Sequence, residues 1–167
     1  DYYQQYFKNL LSSLNKNSRT TDIHVHLISR EEPNLSLLNL YNNSLTWEID
    51  DCLSNVKFAS RRYTLLPIFL NKLNRPIIVL DIDSLVKKDI EEAIKNLPDF
   101  DVAMYLRENE IYINQKLAAG ICIFSNSQNS ILISKAIASY ILYFEENKID
   151  KWFIDRMALT AIHNLYS

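Results

Sequence analysis

The chain has 167 residues, of which 48% are hydrophobic and 23% charged, and a formal net charge of -2 with a pI near 5.9. That length and apolar content suffice for one domain, residues 1–167, with a real core, and the scattered lysines and arginines form no basic stripe of the kind a nucleic-acid binder needs. No apolar run reaches the roughly 18 residues of a membrane-spanning helix, no signal peptide opens the sequence, and the two distant cysteines, Cys52 and Cys122, read as buried thiols in a cytoplasmic protein.

In chain order, Tyr3, Phe7, Leu10, Leu11 and Leu14 recur at helical spacing, so Tyr2 to Leu14 is a predicted helix, closed by the polar stretch Asn15 to Thr21. Ile23, Val25 and Leu27 then alternate with His24 and His26, the period of a half-buried strand over Ile23 to Ser29. His24 and His26 fall on one face of that strand. Two imidazoles are a conceivable metal pair, but no third ligand sits nearby, and an ordinary solvated face is the preferred reading. Leu35 to Tyr41 is ambiguous between helix and strand, and Leu45 to Ile49 reads as a short strand. Asn55 to Leu73 is a long amphipathic helix in which Pro67 marks a kink or a junction.

Ile77 to Leu80 is a dry β-branched run and reads as a buried strand. A helix capped by Asp89 runs to Leu97, followed by strands at Val102 to Leu106 and at Ile121 to Ser125, the latter entered from Gly120, the chain's one glycine. Ser130 to Glu146 carries Ile133, Ile137, Tyr140, Ile141 and Phe144 along one helical face, and a final helix starts near Lys151. Trp152 and Phe153 are expected in the core. This alternation predicts an α/β fold with a largely parallel sheet and helices on both faces, in which ligands bind beyond the carboxyl ends of the strands.

At such an end stand Asp81 and Asp83, one residue apart. Two like charges beside a dry strand raise each other's cost unless a cation or hydrogen bonds offset it. Carboxylate oxygens suit Mg²⁺ or Mn²⁺, ions that leave coordination positions to water and to the oxygens of a diphosphate. The plain alternative is that the two acids only cap the turn.

Two enzyme families place Asp-x-Asp at this kind of strand end. The motif resembles that of haloacid dehalogenase-like phosphatases, in which the first aspartate is the nucleophile and the second the general acid. That comparison puts Leu85 where the family has Thr or Val, and it finds no glycine-containing turn after the motif. Asp150 and Asp155 have a tolerable spacing for its acidic pair but follow a helix. A longer resemblance is to GT-A fold glycosyltransferases of the family eight-like group. FASRRYTLLPIFLNKLNRPIIVLDIDSLVKKDIEEA resembles that group's arginine-bearing helix, turn, strand, Asp-x-Asp and following helix; LAAGICIFSN is similar to its Ala-Gly segment, and KWFIDRMAL to its Trp-x-x-Asp-Gln-x-x-Leu. YFKNLLSSLNKNSRTTDIHVHLIS resembles its first helix and second strand.

The resemblance implies a GT-A, Rossmann-like sheet and transfer of a sugar from a nucleoside diphosphate sugar, with UDP the implied nucleotide, to an acceptor it does not identify. It implies Asp83 as a direct metal ligand, Asp81 as a contact to metal and ribose, and Arg62 as a holder of the nucleotide sugar. Ala119 and Gly120 are implied to let the backbone approach the donor sugar, and Asp155 to face the sugar or acceptor. Three departures accompany it. The opening strand of the family fold has no counterpart after Asp1, no histidine matches the family's late metal ligand (His163 comes too early and reads as structural), and Arg156 and Ala118 replace an expected Gln and Asn. A GT-A domain that binds without turnover is a third reading of the same residues.

Overall fold

The computed structural model describes residues 2–18, 21–29, 44–50 and 54–166. Its elements are α1 (Tyr2–Asn17), β1 (His24–Ser29), β2 (Ser44–Ile49), α2 (Asn55–Leu73), β3 (Ile77–Leu80), α3 (Ile90–Lys95), β4 (Val102–Leu106), α4 (Ile113–Lys116), β5 (Leu117–Phe124), α5 (Gln128–Glu146) and α6 (Ile154–Tyr166). The ambiguous segment Leu35 to Tyr41 and Cys52 lie outside the described residues. The fold is mixed α/β. No helix among the described residues is long and apolar enough to cross a membrane.

The backbone divides into two compact units, Asp1–Leu53 with Leu85–Asn96, and Ser54–Ser84 with Leu97–Ser167. In the first, β1 and β2 pair in parallel, from His24 opposite Ser44 to Ser29 opposite Ile49. Leu10, Leu11 and Leu14 give α1 its buried face, as their spacing requires. The end of α1 grips the segment before α3 through hydrogen bonds: Asn17 donates to the Val86 carbonyl (2.7 Å), Ser13 Oγ accepts from the Val86 N–H (3.0 Å), and Ser18 Oγ accepts from the Ile90 N–H (3.2 Å). Asp89 caps α3 by accepting from the N–H groups of Glu91 and Glu92, satisfying donors that the first turn of a helix leaves free.

The second unit holds a three-stranded sheet in the order β3-β5-β4, with β5 antiparallel to both neighbours. The expected largely parallel sheet is therefore not present among the described residues, where parallel pairing is confined to β1 and β2. The expectation misread β5, since periodicity reports which residues are buried and carries no strand direction. The strand also starts four residues earlier than expected, at Leu117, so Gly120 lies inside it. A bulge between Met104 and Tyr105 breaks the β4–β5 register.

Helices α2, α5 and α6 cover this sheet with a core of Tyr63, Leu66, Leu70, Phe124, Ile137, Ile141 and Leu159, all almost entirely removed from water. Each such side chain contributes roughly 1.5–3 kcal/mol of burial. Ser54 caps α2 by accepting from the Lys57 N–H, and Asn74 ends it in the left-handed conformation (φ 50°). Pro67 sits inside α2 as a buried residue and is not a junction. Trp152 is 57% exposed, against the expectation that it is core, while half-buried Phe153 lies under the Arg156 guanidinium, 4.5 Å from its ring centre.

Candidate functional site

Residue 81 follows β3 directly, and its N–H donates to the Gly120 carbonyl on β5 (3.0 Å), so the end of β3 is pinned against the middle of its neighbour. Gly120 has no positive φ; what it supplies is space. A Cβ there would lie 2.6 Å from Asp81 Oδ2, closer than non-bonded atoms approach. The glycine thus gives room to the Asp81 carboxylate. Its neighbour Ala119 is fixed from the other side, because its carbonyl accepts from the buried Tyr63 hydroxyl (2.6 Å).

Arg62 is the hub of the site. Its Nη1 donates to Asp81 Oδ1 and its Nη2 to Asp155 Oδ2 (3.0 Å), joining the end of β3 to the first turn of α6. Asp155 is 6% exposed, and its other oxygen accepts the Arg156 N–H (2.8 Å). A carboxylate in the first turn of a helix is favoured by the helix dipole, and the guanidinium supplies the opposite charge that burial demands. Just before that turn Phe153 adopts φ 70°, a strained conformation for a bulky residue and one that clusters at functional sites.

Tyr63, one residue along α2, sets the aim of Arg62. The guanidinium carbon lies 5.2 Å from the Tyr63 ring centre, and the Tyr63 hydroxyl is anchored to Ala119 and to Cys122 Sγ (3.3 Å). Burial pushes the Tyr63 phenol well above its usual range and the Cys122 thiol up to about 11, so both are neutral hydrogen-bonding groups and not reactive ones. Sequence reasoning did not single out Tyr63 as part of the site. Its signal was there, since Tyr63, Leu66 and Leu70 fall on one helical face.

The structure therefore brings Arg62, Asp81, Gly120 and Asp155 together, with Ala119 tied in through Tyr63. Asp83 stands apart. It is exposed in the turn after Asp81 and makes no hydrogen bond or ion pair with the described residues. Three carboxylates against one guanidinium leave these four side chains with two formal negative charges. Among the described residues, no group of three or more His, Cys, Asp or Glu side chains is arranged to hold a metal ion. That includes the histidines of β1: the Thr46 hydroxyl bridges them, 3.1 Å from His24 Nε2 and 2.7 Å from His26 Nδ1, with Glu48 3.8 Å from His26 Nε2.

No protein-family model matches the chain, and no curated protein matches it. The functional reading therefore rests on the residues themselves.

Proposed function

We propose that the second unit carries the donor site of a metal-dependent glycosyltransferase of the GT-A type, taking a nucleoside diphosphate sugar, UDP by the sequence resemblance. The observation that carries the reading is the convergence on Arg62. The resemblance picked out Arg62 and Asp81 from one segment and Asp155 from another, and they form one ion network across 93 residues of sequence. The finer fold expectation, a GT-A sheet, belongs to the same proposal and is supported by the order of the α and β elements.

The donor set fits a hard divalent cation. Asp83 is unengaged, Arg62 uses only one oxygen of Asp81, and two aspartates are the small protein share that Mg²⁺ or Mn²⁺ takes when diphosphate oxygens and water complete its shell. Such an ion, when bound, supplies charge stabilisation for the leaving diphosphate. In this reading Asp81 and Asp83 place the diphosphate against the β3 end. Arg62 holds Asp81 in position and offers positive charge where the leaving group gains negative charge. Gly120 leaves the Asp81 carboxylate free of steric pressure from β5, and Asp155, buried with both oxygens engaged, acts through Arg62, which it orients from α6, and not by facing the sugar or acceptor itself.

The test is a calorimetric titration with UDP in Mn²⁺ and then in excess chelator. Saturable binding that chelator removes and that Asp83→Ala weakens about tenfold or more, the scale of one lost charged contact, is the expected result. Binding indifferent to metal would overturn the transferase reading. Phosphate-ester hydrolysis abolished by Asp81→Asn would move the site to the phosphatase class instead.

A further inference from the structure

A second cavity lies where β4 ends and β5 begins. Arg107 and Lys116 stand opposite one another one step beyond the paired Leu106 and Leu117, where the Arg107 N–H donates to the Lys116 carbonyl (2.7 Å). Like charges facing each other across a strand pair are unfavourable. Neither side chain has a hydrogen bond or ion pair with the described residues. The two cations border a cavity of about 350 Å³ that α6 closes with Thr160, His163 and Asn164. These positions share one helical face.

This volume falls within the roughly 300–1,000 Å³ typical of small-molecule sites, and at about 30 Å³ per water it holds on the order of ten waters. It exceeds what a bare anion fills. The one acid on its wall, Glu108, is outnumbered by the two cations, and the His163 imidazole adds a ring N–H donor. A guanidinium, an ammonium and an imidazole around polar Thr and Asn side chains match the oxygens of a phosphate.

We propose that this cavity binds the phosphate of a small phosphorylated molecule, or free phosphate, with Arg107 and Lys116 as its anchoring charges. The proposal is independent of the nucleotide reading, since it uses neither Asp81, Asp83 nor a metal.

The test is an amide NMR titration with inorganic phosphate and, separately, glucose 6-phosphate, in excess chelator and at constant ionic strength. Saturable shifts at Leu106, Leu117, Thr160 and Asn164 are expected with both probes, and a tighter response to the sugar phosphate assigns the remaining volume to the organic part. Arg107→Gln and Lys116→Gln should each weaken the response about tenfold, whereas Glu108→Gln should strengthen it. All three residues line the cavity, and the amide spectra report directly on whether each variant keeps the fold. Shifts that fail to saturate, or that are the same in the wild type and in all three variants, overturn the proposal.

Discussion

Replacing Gly120 with alanine separates stability from site geometry. The added methyl would lie 2.6 Å from Asp81 Oδ2 and 3.4 Å from its Cγ, so the oxygen must withdraw by about 0.8 Å to reach the 3.4 Å edge of ordinary contact. Asp81 Oδ1 is held by Arg62, so the carboxylate must turn off its preferred rotamer, at roughly 0.5–1.5 kcal/mol. Alanine loses less conformational freedom on folding than glycine, which returns about 0.5–1 kcal/mol, and the strand φ at 120 suits any residue. The net change in stability should stay within about 1 kcal/mol. Function should not be so tolerant, because misplacing a site group by about 1 Å costs on the order of a hundredfold in rate. Urea unfolding should thus give a midpoint close to wild type while metal-dependent UDP binding falls about tenfold or more. A variant that binds UDP and Mn²⁺ as the wild type does would refute the claim that Gly120 exists to clear Asp81.

Arg62→Met leaves the buried Asp155 carboxylate with no countercharge; the expected loss is about 2 to 3 kcal/mol, less than for a fully buried pair because Arg62 is 23% exposed and the Asp81 partner 39%. Adding Asp155→Asn should recover most of it in urea unfolding, and a double variant no more stable than Arg62→Met would place the loss elsewhere. Alkaline titration should reveal Cys122. Its pKa rises from 9.0 to about 11 on folding, so between those values the unfolded chain releases the proton first and stability, intact below pH 9, falls as pH climbs to 11. Tyr63 acts in the same direction above pH 10. Urea midpoints followed across this range should fall less steeply in Cys122→Ala; an unchanged slope would mean the thiol is not the titrating group.

How much of this was legible in the sequence depended on the kind of signal. Alternation marked β1 and helical spacing marked α1, α2 and α5, because burial on one face leaves a period in the chain. Strand direction leaves none, which is why β5 was read as one more parallel strand. Its start was misplaced because Gly120 reads as punctuation, whereas here it serves an approach between strands. The short α4 has too few residues to show a period. Of the site, Arg62, Asp81 and Asp155 were visible as motif residues, but their pairing was not, since an ion pair between residues 62 and 155 has no local trace. Trp152 went wrong for the converse reason: hydrophobicity alone predicts burial, and a large exposed aromatic breaks that inference.

The Arg62 bridge also dates the site within the life of each molecule. Asp81 and Asp83 leave the ribosome soon after α2, but Asp155 follows only after β5 and α5, and chains fold as they emerge. Until then Arg62 faces a single carboxylate. The second contact closes a loop of 93 residues, among the costlier closures a chain of this size can make. Strands β3 and β5 can therefore pair before the charge network is complete, and the site, like the core that Ile154, Ala158 and Leu159 join, is finished only by α6.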